Sequence, residues 1–533
     1  MPRFFARQSR TGWILLAMVM ILAGGARVLP APRNVDDSFI TFRYSRNLLM
    51  GDGFVYNEGV RTLGTTTPLY ALVMAGVAGI AQGEAFTWYA LGVNALVDML
   101  NVCLLYWIAW RITQSLYPSV AVAVLYALSP MSVTFAVGGM ETAVAILWML
   151  GATVAYLEER PRWVGVFAGL GLLTRIDAAI WIIPLGLMQW GESAWHARRL
   201  RLGWLRYFTW QTWLAGLLTI APWGIFAFVY FGSPIPNSLS AKSVAYWITD
   251  YSALVSFVQQ YATLFQDFEA FGSRGAMVGA ILYPTLNLFA WLYVRQRERR
   301  VLPLLIYPWL YLILFAVANP LVFRWYWLPP VPALMLGAVL GAWAIWEGVA
   351  TLFKRPQVAR LGMGMVALLW VGMTLQGWVF TPDHGAARPA PRMAWHELEL
   401  HYRTVAEWLH THRTITPSTR IASADIGAIG YYTNATIIDT VGLVTPELSR
   451  YYPITESLIV GRGDDSKDVQ NYAIPPQLIL DQQPQYLVTM EAFVRLGLLR
   501  ETAFTQDYTL IYSIPTTYYG SGVQVYERRH VMP

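Results

Sequence analysis

The chain has 533 residues, of which 56% are hydrophobic, 14% aromatic and only 13% charged. Soluble domains carry roughly twice that share of charge, so the composition excludes a disordered chain and an ordinary water-facing enzyme. The single cysteine, Cys103, excludes a disulfide scaffold. The net charge of +6 belongs to short loops between apolar runs, which excludes nucleic acid as a partner.

Runs apolar and long enough for a bilayer lie at 11–30, 86–110, 117–137, 140–157, 208–231, 272–294, 301–319, 326–350 and 361–380. The run 162–190 carries Arg175 and Asp177 at its middle. It is read as two short helices, 162–174 and 177–190, meeting at a polar turn. The total is about eleven spans. The run 67–81 opens on Thr67-Pro68, closes on Gln82-Gly83-Glu84, and is too short to span. It is read as an interfacial or re-entrant helix. The first run contains the cleavage-like Leu22-Ala23-Gly24-Gly25-Ala26. It is read as a retained anchor, and a signal-peptide reading gives the same orientation.

Basic residues set that orientation. They cluster at Arg3, Arg7 and Arg10; at Arg160 and Arg162; at Arg198, Arg199, Arg201 and Arg206; at Arg295, Arg297, Arg299 and Arg300; and at Lys354, Arg355 and Arg360. With this set of spans every cluster is cytoplasmic, as is the N-terminus. The expected organisation is an all-α polytopic membrane domain over 1–380 and a Pro- and Ala-rich linker over 381–394. Its external loops are 31–66, with interfacial helices, and 232–271. An extracytoplasmic α/β soluble domain over 395–533 follows. In it, helical spacing covers 395–412, and strand-like runs follow at 420–424, 436–439, 485–489, 509–514 and 522–526.

The external loops hold the polar residues that packing explains least. In the first loop, Asn34 or Asp36 can cap a helix and Gly51 can end it. Asp36, Ile40, Arg43 and Asn47 then share one face, and Asp37 lies on the adjacent one. A carboxylate at such a helix start can serve as a general base or hold a metal. Gly138-Gly139-Met140-Glu141-Thr142 puts Glu141 at the start of an apolar helix, where it must cap, pair or line a cavity. Leu173-Thr174-Arg175-Ile176-Asp177 puts an arginine at a break between helices. It can meet a phosphate or close the turn by pairing with Asp177. Lys242 follows the stiff Pro234-Ile235-Pro236 exit, as a phosphate contact or a snorkelling lysine. Phe323-Arg324-Trp325-Tyr326-Trp327 is a further cationic loop, or an interfacial belt. His384, His396, His401, His410 and His412 are read as solvated. Nucleotide-binding, zinc-protease and serine-hydrolase motifs are absent from the sequence.

Asp36-Asp37 in the first external loop, many spans and an external C-terminal domain together resemble the GT-C superfamily of polytopic glycosyltransferases. Further stretches resemble the mycobacterial terminal β-arabinofuranosyltransferase group and its bacterial relatives within it. They are Asp36 to Tyr44, Gly53 to Gly59, Thr66-Thr67-Pro68-Leu69, Gly139-Met140-Glu141-Thr142, Leu173-Thr174-Arg175, Pro234 to Asn237 and Arg324-Trp325-Tyr326. Ala424-Asp425-Ile426-Gly427 and the run to Asp439 and Leu443 belong with them. Asn237-Ser238-Leu239 departs from the group's pattern.

The resemblance implies a GT-C-type fold in a bacterial inner or plasma membrane. It implies transfer of a sugar, a pentofuranose such as arabinofuranose or a hexose, from a polyprenyl monophosphate donor to an extracytoplasmic glycan or lipid. Asp36 or Asp37 is then the catalytic carboxylate. Arg43, Tyr44, Glu141, Arg175, Lys242, Arg324 and Tyr326 are candidates for donor-phosphate and substrate binding, with Arg175, Lys242 and Arg324 chosen by charge and side. A divalent metal (Mg, Mn or Ca) is compatible, with Asp37 and Glu141 as ligands, though no motif requires a cofactor. Membrane lipids are the remaining partner. The alternatives are a lipid or sugar transporter or flippase, and a non-catalytic envelope-assembly protein.

Overall fold

The computed structural model describes residues 9–199, 209–382, 384–459 and 471–529. Arg3, Arg7, Arg201 and Arg206 of the basic clusters lie outside them. The chain divides into two compact units. The first takes in Met1–Arg33, Thr87–Trp223 and Tyr251–Trp395; the second takes in Asn34–Phe86, Gly224–Asp250 and His396–Pro533. The second unit thus joins the C-terminal residues to two stretches that the sequence reading placed within the membrane domain.

The first unit is helical. Across the described residues, seven helices are long and apolar enough to cross a membrane: Arg10–Val28, Phe86–Thr113, Trp210–Phe231, Phe268–Arg297, Arg299–Ala318, Val331–Leu352 and Pro356–Leu375. An eighth crossing is the pair Leu116–Leu128 and Pro130–Val137, bent by 48°. The other expected spans are helical but shorter or less apolar: Thr142–Leu157, Pro161–Thr174 and Ala179–Arg199. The count by this measure is therefore seven or eight rather than eleven. The last two of these helices meet at a 3-10 turn, Ile176–Ala178, as the polar break at Arg175 and Asp177 implied. The expected 326–350 span begins later, at Val331, because Arg324–Tyr326 forms a separate turn. Ala390–Pro391 (β2) pairs antiparallel with Trp378–Val379 (β1).

The bend at Pro130 has a local cause. Proline has no N–H to offer the carbonyl four residues back, and its ring crowds that turn. The freed carbonyls are met by side chains. Ser132 Oγ donates to Tyr126 O at 2.7 Å, Arg27 Nη1 donates to Ala127 O, and Trp378 Nε1 donates to Leu128 O at 2.9 Å. Arg27 is fully buried and ion-paired with the equally buried Asp98 at 2.9 Å. Tyr126 Oη and Asn101 Nδ2 donate to the other Asp98 oxygen.

The second unit holds a five-stranded sheet: Arg420–Ser423 (β3), Thr436–Asp439 (β4), Tyr486–Met490 (β5), Tyr508–Ile514 (β6) and Val523–Arg528 (β7). Its order is β4-β3-β5-β7-β6. β3 lies parallel to β4 and β5, while β7 runs antiparallel to β5 and β6. Ile421, Ile437, Leu487, Val488 and Val525 are buried in it. The amphipathic helix Glu397–His412 buries Tyr402, Val405 and Leu409. The short Pro68–Ala81 helix has its proline in the first turn, where a missing N–H costs nothing. Asn57 completes the β4 edge: its Nδ2 donates to Ile437 O at 2.8 Å and its Oδ1 accepts from Ile437 N at 3.0 Å. Two expectations for the histidines change. His396 is buried, and His384 Nδ1 lies 3.4 Å from Arg33 Nη1 within the first unit.

Candidate functional site

The helix Asp36–Met50 ends on Gly51 in the left-handed conformation, as expected, but neither Asn34 nor Asp36 caps its start. The cap comes from elsewhere in the second unit: Asp36 N donates to Glu399 Oε1 at 3.0 Å. Asp36 in turn anchors another helix. Its two oxygens accept from Gly427 N and Ala428 N, both at 2.8 Å, at the start of Gly427–Thr433. The positive end of that helix favours an anion there. A Cβ on Gly427 would collide with the Asp36 carbonyl, so the docking requires glycine. The expected Asp36–Arg43–Asn47 face is real but is used for packing. Arg43 is buried and donates to Gly430 O (2.8 Å) and Ala435 O (2.6 Å), with its guanidinium 4.3 Å from the Tyr56 ring centre. Asn47 holds Val55 O and Tyr56 O. Tyr44 is buried, donates to Thr62 O at 2.6 Å and accepts from Gly64 N. Arg43 and Tyr44 therefore serve the main chain rather than a donor.

Asp37 is placed differently. It lies on the adjacent face, is partly exposed, and its Oδ2 is 3.4 Å from Lys242 Nζ. Lys242 sits in the last turn of Asn237–Ala245. That helix is fixed by Asn237, whose Nδ2 donates to Gly442 O (2.6 Å) and Leu443 O (3.0 Å). The loop it grips is itself tied to Asp439, which accepts from Val441 N and Val444 N. Asn237 thus has a clear positioning role despite the departure of its neighbours from the family pattern. Burial pushes the Asp439 carboxyl up to about 6, against the pull of these N–H donors.

Asp425 and Tyr402 complete the second unit's acidic group, and the sequence reading gave neither a role. Asp425 follows β3 and accepts from Tyr402 Oη at 2.7 Å. Burial, with Asp37 adding to it, pushes Asp425 up to about 6, although the Tyr402 hydrogen bond opposes this. Asp36 is held well above the carboxylate range by burial, then by Asp425, against its Ala428 hydrogen bond. The available signal was the Ala424-Asp425-Ile426-Gly427 stretch: an acid between a strand end and a helix start.

The first unit gathers a second group. Glu141 begins Thr142–Leu157 without a side-chain capping bond and pairs with Arg175 at 2.7 Å. Arg175 also pairs with Asp177 at 2.9 Å, Tyr311 Oη donates to Asp177 at 2.7 Å, and the Tyr326 ring centre lies 5.1 Å from the Arg175 guanidinium. Two carboxylates on one guanidinium leave the group net negative, so it does not suit a phosphate. Arg324 Nη1 donates to Met393 O at 3.1 Å, and among the described residues no carboxylate lies within ion-pair distance of it.

A divalent metal does not fit these residues as placed. Of the two expected ligands, Asp37 is paired with Lys242 and Glu141 with Arg175. Among the described residues, no three His, Cys, Asp or Glu side chains are grouped to hold a metal.

The apolar helices identify a multi-pass membrane protein, and its fold is shared with solved structures. The structure of ArnT from Cupriavidus metallidurans in the apo state matches with a TM-score of 0.54 at 14% identity, over 97% of this chain and 98% of that one. The same protein bound to undecaprenyl phosphate matches with a TM-score of 0.52 at 14% identity, over 98% and 99%. In sequence, the terminal β-(1→2)-arabinofuranosyltransferase of Mycobacterium tuberculosis is 26% identical over 229 residues, 39% of this chain. The match spans 35% of that relative's length. A family model described as "Domain of unknown function (DUF8728)" matches residues 392–526. These likenesses bear out the resemblance to the GT-C glycosyltransferases drawn from the motifs.

Proposed function

We propose that the protein is a membrane glycosyltransferase that moves a sugar from a polyprenyl-monophosphate carrier to a glycan or lipid outside the cytoplasm. The observation that carries this reading is the Asp37–Lys242 pair, a base and a cation side by side on short helices. The undecaprenyl phosphate in one ArnT structure and the arabinofuranosyl activity in the name of the mycobacterial relative support the choice of donor and of reaction. The donor sugar is a pentofuranose or a hexose, and the membrane is the bacterial inner or plasma membrane with the sheet on its outer side.

In this mechanism Asp37 takes the proton of the acceptor hydroxyl as its oxygen bonds to the anomeric carbon. The bond from that carbon to the phosphate oxygen breaks, and the electron pair leaves with the phosphate. Lys242 stabilises the charge that develops there. Asp36 is the positioning partner, because both of its oxygens are engaged by main-chain N–H groups.

The test incubates purified protein in lipid with radiolabelled polyprenyl-phosphate pentofuranoses and hexoses and an envelope-glycan acceptor. We expect transfer from one donor by the wild type and none above background by Asp37→Asn. Donors that bind but never turn over would overturn the reading in favour of a transporter or an assembly protein.

A further inference from the structure

The first unit holds an open cavity of about 450 Å³ that the proposed transfer step does not use. It lies where the Ser252–Ala262 helix ends and the Phe268–Arg297 helix begins, beside Arg324 and the Arg392–Trp395 stretch. Its volume is within the range of small-ligand sites.

Three features of the lining select a ligand class. First, amides stand among a largely apolar lining: Gln259 and Gln260 line it, and among the described residues their side chains make no hydrogen bond. A lipid tail would bury these dipoles without partners, at a cost. Second, its charges balance. Arg392 pairs with Asp267 at 3.6 Å and with Glu269, which leaves Arg324 as the one cation outside that carboxylate group. Two arginines against two carboxylates make a poor phosphate trap. Third, the Trp327 indole is fixed by its Nε1, which donates to Ser256 Oγ at 2.8 Å. With its polar atom occupied, the ring offers a flat apolar face. Amides that both donate and accept, a guanidinium and a fixed indole together match a polyol with C–H and O–H faces.

We infer that this cavity binds an uncharged sugar unit of the acceptor glycan. Gln259, Gln260 and Arg324 meet its hydroxyls, and Trp327 packs against its C–H face. Arg324, expected from the sequence at the donor phosphate, becomes an acceptor contact. The word acceptor rests on the glycosyltransferase reading, whereas sugar binding does not.

The test uses the full chain in detergent and fluorescently labelled neutral pentose and hexose oligosaccharides, read by anisotropy. We expect saturable binding by the wild type and by Asp37→Asn. Gln260→Ala and Trp327→Leu should bind at least tenfold more weakly at an unchanged melting temperature. Gln259→Ala, at an exposed position, gives a second variant if either of these melts early. Inorganic phosphate should not compete. The inference is overturned if no neutral oligosaccharide binds, if phosphate displaces it, or if the cavity variants bind as the wild type does. Donor turnover without oligosaccharide binding would remove this site and leave the transferase. Binding without turnover would leave the site and remove the transferase.

Discussion

Asp36 and Asp37 are neighbours on one helix turn, yet their surroundings assign them different work. Asp36 accepts two main-chain N–H groups. Asp36→Asn turns one acceptor into a donor facing an N–H, which costs about 1–3 kcal/mol. A lowered melting temperature, beyond any change in the transfer rate, checks this. Asp37→Asn keeps the fold and removes the base. It should lower kcat by about 10²–10⁴-fold with the melting temperature unchanged, as single-turnover transfer assays would read. Asp425 gives a pH signature. Its folded value of about 6 lies above the roughly 3.9 of an unfolded aspartate. Below both values the group is protonated in both states and costs nothing. As pH rises from about 4 to about 6, the unfolded chain releases its proton first, so stability falls. Above that range the loss is constant. Asp425→Asn should therefore lose less melting temperature than the wild type between pH 4.5 and 7.

At the scale of elements, the contact between Asp36–Met50 and Gly427–Thr433 organises the second unit. A methyl group on Gly427 would meet the Asp36 backbone, which cannot yield as a flexible side chain can. Gly427→Ala should therefore destabilise by about 1–3 kcal/mol and release the Asp36 carboxylate, which hydrogen exchange at Gly427–Thr433 would detect. The strands were legible in the sequence because apolar alternation and turn residues are local signals. All five appear within about two residues of their expected limits. The face of Asp36, Arg43 and Asn47 was legible too, but its purpose was not. Its partner carbonyls at Gly430 and Ala435 lie almost four hundred positions along the chain, and helical spacing carries no information about such a partner. The same limit applies to Asp37 and Lys242: each was a candidate alone, and only the fold pairs them.

For the whole molecule, the membrane helices depend on a charge pair that the sequence reading passed over. Arg27 and Asp98 sit inside two apolar runs, and a charge in such a run is itself a signal. The basic-cluster reading did not use it because both residues fall within apolar runs and outside the basic clusters. Arg27, held by Asp98, donates to the Tyr126 and Ala127 carbonyls beside the Pro130 bend. Asp98→Ala leaves a buried guanidinium uncompensated and should cost about 3–5 kcal/mol. The yield of monodisperse protein after solubilisation would show it. The span count was less legible for a physical reason. Thr142–Leu157, Pro161–Thr174 and Ala179–Arg199 are apolar enough to look like spans in sequence, but their helices stop short or take up polar residues.

The second unit also bears on how such a chain can be recombined. The matched domain covers 392–526, yet its β4 edge is completed by Asn57, one of its helices starts on Asp36, and its Gly430 and Ala435 carbonyls are met by Arg43. Cut at its own borders, that stretch would expose a raw strand edge and orphaned polar groups. It is not a cassette that can be grafted onto a foreign membrane protein. A viable chimaera has to carry the stretch from Asp36 to Asn57 with it, although most of the membrane helices lie between the two stretches in the chain.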